Sequence, residues 1–239
     1  MAWLDWYVRM GVVDSVDGLE KPPAPRAKAG PRDGGDRVGQ ARALAAACRS
    51  LAELETALAG FDGCPLRETA TRLCFADGSP TAPLMLIGEA PGAEEDRLGR
   101  PFVGPSGQLL DRMLAAVGLD RRRVWITNLI FWRPPGNRPP TTAEVATCQP
   151  FLERQIELLA PRLILFLGGS AARALLEVGD GVTKLRGRRF VYRATGATAP
   201  TPAFVTFHPA YLLRQPLQKR LVWRDLLTVR QEIDADQPM

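Results

Sequence analysis

From residue 84 onward, short apolar runs alternate with longer segments whose apolar positions recur every three to four residues. LMLIG (84–88), VWITNLI (124–130), LILFLGG (163–169) and FVTFHP (204–209) are near-continuously hydrophobic, as strands buried on both faces are. Between them GQLLDRMLAAVG (107–118), TAEVATCQPFLERQIELLA (142–160) and SAARALLEVG (170–179) carry helical spacing. Gly118 closes the first of these helices, and Thr141 or Thr142 is placed to cap the second, with Glu144 in its first turn. YLLRQPLQKRLVWRDLLTVRQEI (211–233) is the last helical material, broken near Pro216. Strands separated by helices predict an α/β fold: three αβα layers around a central, mainly parallel four-stranded sheet.

Upstream the pattern differs. ARALAAACRSLAELETALAG (41–60) reads as one helix ending at a glycine. Residues 3–16 form a short amphipathic pattern with Trp3, Tyr7 and Met10 at helical spacing and Leu4 and Trp6 beside them. KPPAPRAKAGPRDGGDR (21–37), with little to bury, reads as a linker or mobile loop. The chain is therefore expected to divide into an N-terminal helix and linker, residues 1–40, and an α/β domain, residues 41–239. The N-terminal helix either docks on that domain or contacts a partner.

Composition narrows the class only slightly. Hydrophobic residues make up 46% and charged residues 24%, ordinary values for a soluble domain. No apolar run approaches the ~18 residues of a membrane helix, and MAWLDWYVRM lacks the basic start of a signal peptide. A cytoplasmic protein without membrane contact is expected. The net charge of +5 is compatible with a polyanionic partner, and the basic residues concentrate in RRR (121–123) and KLRGRR (184–189). The four cysteines, Cys48, Cys64, Cys74 and Cys148, contain no CxxC pair, and with one histidine in the chain buried free thiols are expected.

In parallel sheets of this kind ligands bind beyond the carboxyl ends of the strands. That places GEAPG (88–92), the segment after Asn128, the GGS turn (168–170) and His208 on one rim. Glu89 follows the first strand directly, Asn128 can donate and accept at once, and His208 is the chain's only imidazole. Neither a GxSxG nucleophile elbow nor a GxxxxGKS/T phosphate loop is present. Glu94, Glu95 and Asp96 offer carboxylates to a metal, but consecutive acids at a helix start mostly face solvent.

GEAPGAEED, GRPFVGPSGQLLDRML, ITN followed by RPPGNRPPT, TKLRG and TFHPAYLLR occur in this order, within about residues 60–230. Together they resemble the uracil-DNA glycosylase superfamily, most closely its family 4. The resemblance implies a DNA-repair enzyme that flips deoxyuridine out of single- or double-stranded DNA and hydrolyses its N-glycosidic bond. It implies that uracil stacks on Phe102 and is recognised at its Watson–Crick edge by Asn128, beside the backbone of Gly88, Ala90, Pro91 and Gly92. Glu89 then orients water or stabilises the cationic sugar, with Glu95 and Asn137 in support. His208, neutral or charged, donates to uracil O2. Lys184, Arg186 and Arg188 are the matching phosphate contacts, and Leu212, Leu213 or Arg214 fills the gap left by the flipped nucleotide.

Family 4 enzymes typically hold a 4Fe–4S cluster on four cysteines, and here the chain departs. Cys64 and Cys148 match two of those positions, while Phe61 and Trp132 stand at the other two. Two thiolates fall short of such a cluster, so an enzyme with no cofactor and no metal is expected, with Phe61 and Trp132 as an apolar plug. The histidine that forms a covalent DNA link in a related branch is absent from the loop after Asn128. A monomeric uracil-DNA glycosylase is the leading expectation. The alternatives are a DNA- or abasic-site-binding module with weak catalysis, and a glycosylase of altered base choice.

Overall fold

The computed structural model describes residues 34–193 and 200–235. The expected helix at 3–16 and most of the linker lie outside these residues. The first described helix, α1 (Gly34–Ala47), begins inside the expected linker and seats Ala41 and Ala45 in the core, so residues 34–40 belong to the domain. The single helix expected over 41–60 is two helices, α1 and α2 (Leu51–Gly60). Ser50 is the reason. Its side chain accepts a hydrogen bond from the Glu53 amide at 3.2 Å, and the Glu53 carboxylate accepts from the Arg49 amide at 2.7 Å, which starts a new helix.

The sheet contains β1 (Asp77–Gly78), β2 (Leu84–Gly88), β3 (Val124–Asn128), β4 (Leu163–Leu167), β5 (Arg189–Tyr192) and β6 (Thr201–Thr206). Their order is β1-β3-β2-β4-β6-β5. β3, β2, β4 and β6 are parallel to one another, and β1 and β5 join the two edges antiparallel. The four expected strands are thus the parallel centre of a six-stranded mixed sheet. The edges carry weak signals: β1 has two residues, and β5 alternates exposed and inward positions behind a basic start.

The helices that follow the strands cover both faces: α3 (Ala93–Leu98), α4 (Pro105–Ala116), α5 (Thr142–Leu159), α6 (Gly169–Leu176), α7 (Val182–Leu185), α8 (Pro209–Arg214) and α9 (Lys219–Ala235). Successive strand residues point to opposite faces, so each strand feeds two cores. Met85, Ile87, Trp125, Ile164 and Phe166 pack with α1, α2, α5 and α6. Leu84, Leu86, Val124, Ile126 and Leu165 pack with α4 and α9. α5 starts at a reciprocal cap in which Thr141 accepts from the Glu144 amide and Glu144 accepts from the Thr141 amide. No helix among the described residues is long and apolar enough to cross a membrane.

Candidate active site

Gly88 and Asn128 are register partners at the carboxyl ends of β2 and β3. By the two-residue period of the strand, Asn128 faces the same side as Val124 and Ile126. It is only 1% exposed, and neither its Nδ2 nor its Oδ1 has a hydrogen-bond partner among the described residues. An unsatisfied buried amide costs about 1–3 kcal/mol, and this one lies at the carboxyl end of a central strand, where ligands of such sheets bind. Gly88 lets the amide and the Phe102 ring come close. A Cβ there would lie 2.4 Å from Asn128 Oδ1 and 2.6 Å from the Phe102 ring.

Phe102 is held in an unusual conformation. Its φ of +54° lies in the left-handed region, which costs a residue with a Cβ about 1–3 kcal/mol. Two neighbours enforce it. The Arg121 guanidinium donates to the Phe102 carbonyl, and a Cβ on Gly107 would fall 1.7 Å from that same oxygen. Arg121 is itself anchored to Asp77 and Asp111, so one member of the basic RRR run is a clamp on the site loop.

Glu95 joins that loop to GEAPG. Its Oε1 accepts from the amides of Val103 and Gly104, each at 2.9 Å, and its Oε2 accepts from the Gly92 amide at 3.1 Å. Asp96 is buried and accepts from the amides of Thr71 and Arg72. Of the three consecutive acids expected to face solvent, only Glu94 does so, paired with exposed Arg97.

His208 ends the strand run beyond β6, its ring 5.4 Å from that of Phe102. Its Nδ1 accepts from the Ala210 amide at 3.1 Å, so the neutral ring carries its proton on Nε2. Part of its surface remains accessible, yet burial pulls its pKa down to about 4, with the Arg214 charge adding in the same direction. Of the neutral and charged imidazole, both the Nδ1 acceptor role and the burial favour the neutral one.

Glu89 lies between two cavities. One, of about 220 Å³, is lined by Glu89, Ala90, Pro91, Gly92, Asn137 and His208, with Arg138 and Arg214 at its edge. The other, of about 500 Å³, meets Glu89 together with Ser170 and Arg173. Burial raises the Glu89 pKa, opposed by a hydrogen bond from the Ser170 hydroxyl at 2.5 Å and by the Arg173 charge. Asn137, in the left-handed region at φ +54°, accepts from Arg133 and supports the cavity wall.

The sequence profile of the uracil DNA glycosylase superfamily matches residues 75–227. The type-4 uracil-DNA glycosylase of Sulfurisphaera tokodaii is 35% identical over 187 residues, 76% of this chain and 84% of that protein. Its counterpart in Pyrobaculum aerophilum is 39% identical over 180 residues, 74% of this chain and 91% of that protein. That of Thermotoga maritima is 38% identical over 166 residues, 68% and 84% of the two chains. The chain belongs to the uracil-DNA glycosylase superfamily.

For a superfamily member the six expected DNA-contacting residues separate into two kinds. Arg188 is exposed and stacks over Phe190 at 5.3 Å, and Lys184 pairs with Asp180 at 3.6 Å on the surface. Leu213 is 43% exposed, and Arg214 is exposed at the edge of the smaller cavity. Arg186 and Leu212 do not fit their expected roles. Arg186 is spent on buried Asp225, at 2.5 Å, and on the Leu221 carbonyl, while Thr206 donates to the same carboxylate. Leu212 is fully buried against α4 and α9. A one-residue change of phase on α8 separates the core leucine from the exposed one.

The cysteine region does not fit a four-thiolate cluster. Cys148 donates to the Cys64 sulfur at 3.9 Å, and both are buried. Phe61, 3% exposed, packs on Phe151 with ring centroids 5.2 Å apart, and Trp132 is buried as deeply. Cys48 is bonded to the Leu44 carbonyl and Cys74 to the Glu95 carbonyl, and burial pushes the Cys74 thiol up to about 12. Among the described residues no cluster of three or more His, Cys, Asp or Glu side chains is placed to hold a metal.

Sequence reasoning missed Ser170, Arg121 and Arg138. The GGS turn was placed on the rim, but nothing in its residues names Glu89 as a partner 81 positions away.

Proposed function

We propose that this protein is a monofunctional uracil-DNA glycosylase that flips deoxyuridine from single- or double-stranded DNA, acting as a monomer and without an iron–sulfur cluster. The observation that carries this reading is the unpaired, buried carboxamide of Asn128. An extruded uracil satisfies both of its atoms, N3–H donating to Oδ1 and O4 accepting from Nδ2. Cytosine offers an acceptor at N3 and a donor at C4, leaving both atoms opposed, and buried mismatches of this kind discriminate strongly.

The chemistry follows from the rest of the cavity. Phe102, locked by Arg121 and Gly107, gives the base a rigid stacking face. As the C1′–N1 bond breaks, its electron pair moves onto the base and charge gathers at O2, where the Nε2–H of neutral His208 donates. Water adds to C1′ and its proton passes to the Glu89 carboxylate and then to solvent, leaving an abasic site. The uracil anion takes its proton from solvent. Exposed Arg188, Lys184 and Arg214 suit phosphates, and Leu213 suits the gap in the duplex. The absence of a cluster is supported by the donor set: two adjoining thiols, with the other two expected ligand positions taken by buried Phe61 and Trp132.

The test uses purified full-length protein with EDTA on an oligonucleotide containing one uracil, followed by alkaline cleavage and an absorption spectrum of the same sample. Cleavage by a colourless protein is the expected result. Failure to cleave, with Glu89→Ala indistinguishable from wild type, would overturn the enzymatic reading. A band near ~400 nm would overturn the cluster-free one.

A further inference from the structure

Ser170 is the second residue of α6, a position from which serine commonly serves its own helix start. Here the hydroxyl instead crosses to Glu89, with Oγ 2.5 Å from Oε2. It arrives from the larger cavity, which Ser170 lines, and not from the smaller one shared by Glu89 and His208. The Glu89 backbone is fixed independently, its carbonyl accepting from the Ile130 amide at 3.2 Å. Glu89 Oε1 takes no hydrogen bond from the described residues.

We propose that Ser170 is a positioning residue that pins one oxygen of the Glu89 carboxylate from behind, leaving the other for the water and C1′. This rests on the glycosylase reading above. Glu89 has three rotatable side-chain bonds and lines both cavities, so its carboxylate needs a fixed partner to keep one orientation. A fixed donor on one side selects the rotamer whose free oxygen faces the base cavity. The same bond favours the charged form that accepts the water proton, against the burial that disfavours it. The charged and titratable groups around Glu89 are Arg173 on α6, Arg138 in the proline-rich loop, His208 after β6 and Arg214 on α8. With its pKa pulled down to about 4, His208 adds no charge beside Glu89 near neutral pH, and among the described residues Ser170 is the group hydrogen-bonded to the Glu89 carboxylate.

The experiment compares wild type, Ser170→Ala and Ser170→Thr as full-length proteins on the single-uracil oligonucleotide across pH, alongside a carbon-13 NMR titration of the Glu89 carboxyl assigned with Glu89→Gln. Ser170→Ala is expected to lower kcat about tenfold near neutral pH with little change in KM. Its acid limb and the Glu89 titration should both move to higher pH, and Ser170→Thr should restore both. Wild-type kcat in Ser170→Ala would overturn the proposal, as would an equal loss at every pH with the titration unmoved. An inactive wild type would overturn the glycosylase reading instead. The titration would then decide the Ser170–Glu89 link alone: an unmoved Glu89 ends it, a moved one upholds it.

Discussion

Gly88 and Asn128 sit side by side in β2 and β3, and a Cβ on Gly88 would lie 2.4 Å from the Asn128 carboxamide oxygen. The Asn128 amide therefore has its position only because its neighbour has no side chain. Gly88→Ala should displace Asn128 or Phe102 and lower kcat/KM about 100-fold or more, since misplacement by an ångström is enough. Circular dichroism should report an unchanged fold. Activity within about threefold of wild type would show that the amide does not need that space.

Asn128 sets stability against activity. Asn128→Leu removes two unsatisfied polar atoms from a buried site and is expected to stabilise the protein by about 1 kcal/mol in urea unfolding. Uracil release should fall by about 10³-fold, the loss typical of a transition-state donor. A variant that is both less stable and inactive would point to a structural amide.

His208 has a pKa near 4 in the folded protein, below the ordinary imidazole value of about 6.5. Between these values the unfolded chain binds the proton more readily, so this group's stability contribution is complete above about 6.5 and is lost as pH falls towards 4. The loss amounts to roughly 3 kcal/mol. Glu89, raised by burial, acts in the opposite sense over the acid range above the ordinary glutamate value. Denaturant unfolding at pH 4.5 and 7.5 should show a larger acid loss in wild type than in His208→Gln. Equal losses would place the sensitivity elsewhere.

Two arginines of one basic run should behave oppositely. Arg186→Ala leaves buried Asp225 without its cation and should cost about 3–5 kcal/mol of stability. Arg188→Ala, on the surface, should leave the melting temperature near wild type. It should weaken binding to abasic-site DNA and reduce the slope of log affinity against log salt by about one. A stable Arg186→Ala with the salt slope of a lost phosphate contact would return Arg186 to the DNA-facing set.

Much of the architecture was legible because buried parallel strands and amphipathic helices impose periods on the chain. The four central strands, the cap at Thr141 and Glu144, and the rim carrying Glu89, Asn128 and His208 all follow from such local rules. The two edge strands were not legible: β1 is too short to show a period, and β5 is half exposed, so neither needs an apolar run. The break at Ser50 was legible in principle, as serine followed three residues later by glutamate, but the apolar spacing on either side concealed it.

The sequence by itself determined the fold class, the superfamily and the placing of Glu89, Asn128 and His208 on one rim of the sheet, since motif order and strand ends are properties of the chain. Tertiary structure alone decided what each polar group is paired with. Arg186 and Arg188 carry the same charge two positions apart, yet one closes on Asp225 in the core and the other meets solvent. Glu95 and Asp96 turn inward to gather loop amides while Glu94 stays outside. Leu212 and Leu213 exchange core for surface within one helical step. Hydrogen bonds and ion pairs close over distances of about 3 Å between residues far apart in the chain. The partner, and with it the role, exists only once the sheet has brought the segments together.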